Sequence, residues 1–445
     1  MLARESILTG CFLFSLKRRL LHHVRGAEPA VQARTASPCH RGYIHAPILT
    51  FAIVSAGPAA YTGRVRSVYF DYNATTPLDP AVREAMQPFL GEIFGNPSSV
   101  HHVGRRARAL LDDARDRTAR VWHCKPSEVV FTSGGTESNN LAILGVARLL
   151  REKGRHLITA GTEHHAVLHP CDYLARKEGF TVTRLPVDAQ GLISPADLAK
   201  AIRPETTLVS IMAANNETGT LQPVAEISRI CREHNVLYHC DAVQSLGKEP
   251  FADIHQFGAD LVSACGHKFH GPKGSGALFI RSPLLPDPLL FGGGHENERR
   301  AGTENLAAII GFVEALERFV PTPVFDPAHL KPLTDRLLRL ADSLEGVTFR
   351  GHRGQRLANT VSFTVSGADS IALLAALDME GVCASSGSAC SAGSLEPSHV
   401  MLAMGVPAKE ANALVRLSLG RENTLEEVEY VETVLPKVIR QVRGR

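Results

Sequence analysis

From Val68 onward, short β-branched and apolar runs alternate with longer helical patterns, and this alternation constrains the fold more than any other feature. Residues 128–131 read as a strand, Ser133-Gly134-Gly135-Thr136 as a loop, and 137–150 as a helix. Further short apolar runs lie at 208–212, 237–240, 261–264 and 277–280, each bounded by turn residues or followed by a helix. Such a pattern predicts an α/β fold, a mostly parallel sheet covered by helices. Ligand sites in these sheets lie at the carboxyl ends of the strands. At 445 residues the chain is long for one domain. Pro321, Pro323 and Pro327 mark a boundary, followed by a helical pattern at 329–344, a strand pair and two more helices. The expected division is an extension over 1–66, a large domain over 81–325, and a smaller α+β domain from 67–80 and 326–445. No internal repeat is visible.

Composition narrows the class. With 44% hydrophobic and 21% charged residues, wholesale disorder is excluded. No run of about 18 apolar residues occurs, so no membrane span is expected. Nine of the 48 basic and two of the 45 acidic residues fall within 1–66, which leaves 39 basic against 43 acidic residues in the body. The body is therefore mildly acidic and carries no nucleic-acid footprint. The first 66 residues are Arg-rich and acid-poor, as in organelle transit peptides, but show no sustained amphipathic period. Their first apolar run, 7–16, precedes Lys17-Arg18-Arg19, the reverse of a secretory signal. The second, 48–56, is too short to cross a bilayer. The segment is read as a disordered extension or sequence upstream of the true start, and the protein as cytoplasmic, with an organelle as the alternative. Nine cysteines, an odd number with no CxxC pair, argue against a disulfide framework or a paired-cysteine zinc site and for a reducing compartment.

Several clusters at the expected strand ends carry chemistry. Lys268, in Gly266-His267-Lys268, follows an apolar run, where a buried amine has a depressed pKa and forms Schiff bases with aldehyde cofactors. The ordinary alternative, a solvated lysine in a Gly-rich loop, is the better reading of this residue alone. Asp241 follows another apolar run. It suits a protonated ring nitrogen such as that of pyridoxal phosphate and equally suits a helix N-cap. The glycines of Ser133-Gly134-Gly135-Thr136 let backbone N–H groups approach an anion at a helix N-terminus. An ordinary turn capped near Thr136 accounts for them as well. The run SSGSACSAGS at 385–394 is too small-sided to fill a core and reads as a mobile loop whose one reactive side chain is Cys390. Its ordinary alternative is a Gly/Ser turn with cysteine in place of serine. Arg416, in an apolar run, is suited to an anionic partner such as a carboxylate, although an alternating strand with a solvent-facing arginine is the simpler reading. His164 reads as a ring-stacking or a satisfied loop histidine. Together these parts describe a pyridoxal phosphate enzyme acting on an amino acid, with Cys390 pointing to sulfur chemistry.

At this level the chain resembles the class V aminotransferase-fold cysteine desulfurases, and is most similar to their nitrogen-fixation (NifS-like) branch. The matching strings are YNATTP from Tyr72, GNPSS from Gly95, FTSGGTESNN from Phe131, ANNETGTL from Ala214, DAVQ from Asp241, GHKFHGPKG from Gly266, RAGTEN from Arg300, SSGSACSAGSLEPSHV from Ser385 and VRLSLGR from Val415. The resemblance spans about residues 68–442 and implies a fold-type I pyridoxal phosphate architecture and a homodimer. It implies that Lys268 carries the cofactor, Asp241 pairs with the ring nitrogen, Gln244 contacts the ring hydroxyl oxygen and His164 stacks on the ring. It assigns the phosphate to Gly135, Thr136 and His267, with Thr303 reaching across from the partner subunit, and the substrate carboxylate to Asn216 and Arg416. Cys390 would take sulfur from L-cysteine as a persulfide and release alanine. An iron–sulfur scaffold protein would accept the persulfide, with nitrogenase maturation a candidate client. No resident metal is implied, and a nascent cluster on Cys390 would be transient.

Three departures accompany the match. Cys265 stands where many relatives have a phosphate-binding serine, and a thiol is a poorer donor. It is read as a mark of the subgroup and kept among the expected cofactor contacts. Cys383 replaces an expected apolar residue and is read as a core thiol. The chain ends soon after Val442. The housekeeping bacterial and mitochondrial enzymes carry a longer tail that helps bind the scaffold protein, so the short end argues against the mitochondrial enzyme. The competing readings are a selenocysteine lyase, an aminotransferase or epimerase of the same fold, and a catalytically silent scaffold.

Overall fold

The computed structural model describes residues 67–387 and 396–444. The expectations for 1–66 and for Cys390 fall outside the described residues.

Twelve strands are described: β1 Val68–Tyr69, β2 Val129–Thr132, β3 His156–Ala160, β4 Thr181–Leu185, β5 Thr206–Ser210, β6 Leu237–Asp241, β7 Leu261–Cys265, β8 Gly276–Ile280, β9 Val347–Phe349, β10 Thr360–Val365, β11 Val382–Cys383 and β12 Leu414–Ser418. Seven form one sheet in the order β2-β8-β7-β6-β5-β3-β4. Only β8 runs against the others, antiparallel to both β2 and β7. The mostly parallel α/β fold expected from the alternation is what the chain adopts. Strands β2, β3, β5, β7 and β8 are buried at every residue, which is why they lack the apolar–polar alternation of a strand with one face in water. Within this sheet only the edge strand β4 has exposed residues, Thr181 and Arg184.

The helix expected over 137–150 starts at Gly135 and runs to Leu149, with a π-helical turn at Leu141–Gly145. At that turn a Cβ on Gly145 would stand 2.7 Å from the Asp287 carbonyl oxygen. Glycine thus lets the helix lie backbone to backbone against that loop.

A second core lies around the antiparallel sheet β12-β10-β9. The helices Pro327–Ser343 and Leu425–Val442 cover it. Val68, Phe70 and Tyr72 join this core with Phe325, because β1 pairs in parallel with β11, Val68 opposite Val382. Both cores belong to one compact unit. Cys383 is only partly buried. Val382 takes the inward position of the ladder, and alternation turns Cys383 toward the rim, so the reading of a core thiol is corrected.

Candidate active site

Strands β2, β3, β5, β6 and β7 all point their carboxyl ends at one pocket. Gly135, Thr136, His164, Asn216, Asp241, Gln244, Cys265, His267, Lys268 and Arg416 line it together. Residues separated by up to 281 positions in sequence thus converge, as the switch-point rule for such sheets requires.

Asp241 ends β6, and both of its carboxylate oxygens are engaged. Oδ1 accepts from the Val243 N–H at 3.0 Å, and Oδ2 accepts from Asn139 Nδ2 at 2.6 Å. Burial pushes its carboxyl upward while these two donors pull it down. A cation delivered to this carboxylate would relieve the cost of burying it. The local turn bond and the ligand-facing role therefore coexist.

Lys268 follows β7 on a short 3₁₀ turn. Its ammonium donates to the carbonyls of Asn73 at 2.7 Å and Ala74 at 2.8 Å. Burial, with the Arg416 charge adding, draws the amine from 10.5 down to about 8. The solvated-lysine reading is therefore overturned. The reason is the 71–76 segment, which crosses the pocket and supplies both carbonyls from nearly two hundred residues upstream.

The helix that starts at Gly135 has Gly134 as its N-cap, with φ of +149°, and no side chain caps it. The alternative of an ordinary turn capped by a side chain near Thr136 is thus ruled out. Gly135 and Thr136, the first residues of this helix, line the pocket, where a helix N-terminus favours an anion, and the Gly135 N–H also reaches the Cys265 sulfur. A Cβ on Gly135 would come within 2.7 Å of Val243 Cγ2, so only glycine leaves the cradle open. Cys265 borders the cradle, but its thiol proton is directed at the Ser275 carbonyl, 3.7 Å away, and burial raises its pKa.

The histidines are neutral. Burial first, then the Lys268 charge, lowers His164 to about 4 and His267 to about 3. His164 Nδ1 accepts from the Ala166 N–H at 3.1 Å, so the ring proton resides on Nε2.

Arg416 lies in β12 with its side chain 1% exposed, which rules out the simpler solvent-facing reading of the residue taken alone. β10 pairs along one edge of β12, and backbone bridges from Asp71 to Ser418 and from Ser385 to Arg416 cover the other. Its Nη2 pairs with Asp71 at 2.8 Å, and Nη1 donates to the carbonyls of Asn216 and Gly387, both at 2.8 Å. Nε is buried without a partner, which leaves one edge of the guanidinium available to a ligand.

Thr303, expected to serve the partner subunit's site, lines a separate cavity with Ser133 and Arg300, and the expectation for Cys390 lies outside the described residues. Asn73, Asn139 and Asp71 complete the site and were not singled out from sequence. Asn73 and Asn139 stand inside the YNATTP and FTSGGTESNN strings and were available there, whereas nothing marked Asp71. Among the described residues, no group of three or more His, Cys, Asp or Glu is placed to hold a metal ion. No described helix is long and apolar enough to cross a membrane.

Comparison with known proteins agrees with this geometry. Residues 68–431 match the model of the aminotransferase class-V family. A protein of Dictyoglomus turgidum named cysteine desulfurase IscS is 48% identical over 85% of this chain and 96% of its own length. A probable mitochondrial cysteine desulfurase of Dictyostelium discoideum is 40% identical over 88% of this chain and 87% of its own. A solved NifS-like protein superposes with a TM-score of 0.78 at 37% identity, covering 84% of this chain and all of that one. With pocket, family model and relatives in agreement over most of its length, the chain belongs to the class V aminotransferase family, among its pyridoxal phosphate-dependent cysteine desulfurases.

Proposed function

We propose that this chain removes sulfur from L-cysteine, releases L-alanine and holds the sulfur as a persulfide on Cys390 for transfer to an iron–sulfur scaffold protein. The observation that carries the reading is the convergence of Lys268, Asp241 and the free Nε edge of Arg416 on one pocket. On the same reading the second core, with residues 67–80 and 326–445, is a small domain and 81–325 the large one. The protein works as a homodimer in the cytoplasm, with Thr303 serving the partner's site.

The pocket fits pyridoxal phosphate. An uncapped helix N-terminus at Gly135 suits the phosphate, with Thr136 and His267 beside it, and the buried Asp241 carboxylate suits the ring nitrogen. Neutral His164 suits the ring face, and Gln244 the ring hydroxyl. When bound, the cofactor supplies an electron sink for bonds at the substrate's α and β carbons. Lys268, drawn to about 8, is neutral often enough near physiological pH to take and return a proton at Cα. Arg416 grips the substrate carboxylate through its free edge, with Asn216 alongside. Asp71 fixes the guanidinium plane from behind.

Cys390 loses its thiol proton and its sulfur bonds to the substrate sulfur. The carbon–sulfur bond breaks with its electron pair on carbon, and a proton there completes alanine. Adding L-cysteine and a reductant to the purified holoenzyme tests this. Wild type should yield equal sulfide and alanine, and Cys390→Ala neither. Turnover that survives Cys390→Ala and yields pyruvate or a transaminated product would sink the reading.

A further inference from the structure

A second lysine lies behind the pocket. Lys248, on the turn that follows β6, is 1% exposed. Its amine donates to the side-chain oxygens of Asn73 and Gln244, both at 2.6 Å. It also sits 5.1 Å from the centre of the Phe325 ring, in the second core. Burying an amine this completely is costly, and the charges of Lys268 and Arg416 add to the cost while Glu249 offsets part of it. Packing does not account for it, since an apolar chain of the same length would fill the volume without the cost.

The hydrogen bonds show what Lys248 does. An amide oxygen pinned by an amine fixes which way the amide faces. With Oε1 held by Lys248, Gln244 turns Nε2 toward the Asn73 carbonyl, 3.0 Å away, and keeps its second N–H for the pocket it lines. With Oδ1 held by Lys248 and by Asn359 Nδ2 at 3.1 Å, Asn73 turns Nδ2 toward the Asn216 carbonyl and Thr360 Oγ1. Both effects meet at the Asn73 backbone carbonyl, which receives the Lys268 amine at 2.7 Å. We propose that Lys248 is a positioning residue that acts through Asn73 and Gln244. It sets the resting place of the Lys268 amine and makes Gln244 a donor toward the cofactor. The inference rests on the desulfurase reading only for its kinetic arm.

The test uses the full chain with Lys248→Met, which keeps the stem and removes both donated bonds. Stripped of cofactor, wild type and variant are given pyridoxal phosphate across a range of pH and the rate of capture is followed by visible absorbance. Capture requires a neutral Lys268 amine, whose other titratable or charged neighbours are Cys265, Asp71, Asp241, Arg416, His164 and His267. The variant should capture cofactor at least tenfold more slowly on the alkaline plateau. Its midpoint should move by half a pH unit or more. With cofactor bound, kcat for alanine should fall at least tenfold while KM for cysteine stays within twofold. Unchanged capture rate and midpoint would overturn the proposal. So would losses that merely track a lowered melting temperature. Lys248→Gln, which keeps one donor at shorter reach, should fall between the two; if Lys248→Met does not fold, a wild-type capture profile in Lys248→Gln overturns the proposal alone. Failure of wild type to make alanine would refute the desulfurase reading and leave the capture result standing.

Discussion

The two walls of the pocket solve the problem of burying charge differently. The wall built from the seven-stranded sheet holds Asp241, Lys268 and His164 with burial as the dominant influence on each. The facing wall, from Asp71 and β12, holds Arg416 in an ion pair with two further carbonyl acceptors. Burial therefore biases each of the first wall's groups toward its neutral form, while the second wall holds its arginine against a carboxylate. Proton chemistry belongs to the sheet side and grip to the β12 side.

The largest effect that would break this division is on Lys268. Lys268→Ala should lower alanine formation on the order of a thousandfold or more, with cofactor bound weakly and lost on gel filtration. Retained turnover would move the proton chemistry elsewhere. Arg416→Met should destabilise the fold by about 3 kcal/mol, because it leaves Asp71 as an unpaired, largely buried charge. Arg416→Lys should instead keep most of the stability and raise KM for cysteine about tenfold or more. Urea unfolding and steady-state kinetics read the two apart.

A smaller effect tests the cost of the sheet-side wall. Lys268 titrates near 8 in the fold and 10.5 unfolded. Below pH 8 the folded protein carries the full penalty of a buried ammonium, and the penalty fades as pH rises toward 10.5. The cofactor-free Lys268→Met variant should therefore be the more stable protein below pH 8, on the order of 2 kcal/mol. The gap should close above pH 10.5. Denaturant titrations across that range that show a constant gap would contradict the burial account. The smallest effect is at Asn139. Asn139→Ala removes the 2.6 Å donor to Asp241 and should weaken cofactor binding about tenfold, the worth of one charge-assisted hydrogen bond.

Much of the sheet side was legible in the sequence. Its strands are buried on both faces, so their runs are apolar, and the residues after them stand in recognisable strings. Only the resemblance of whole strings assigned Lys268 and Arg416 to the site, because what residues taken one at a time do not show depends on pairs far apart in the chain. Arg416 reads as solvent-facing because its partner, Asp71, is 345 positions away. Lys268 reads as a surface lysine because the carbonyls that hold its amine come from residues 73 and 74. Lys248, in a Gly-Lys-Glu-Pro turn, has the local signature of a solvated residue and is fully buried.

The segment 68–76 is tied at every step. Val68 and Phe70 donate to Gly381 and Cys383, Tyr72 to Ser418, and Thr76 to the His267 carbonyl. Lys268 rests on its middle residues, Asn73 and Ala74. Whatever protease or start codon defines the front of this protein in the cell therefore has a hard limit. Ends generated before Val68 keep every residue of this segment. Ends generated a few residues later remove the floor on which the reactive amine sits, and no change elsewhere in the chain can stand in for it.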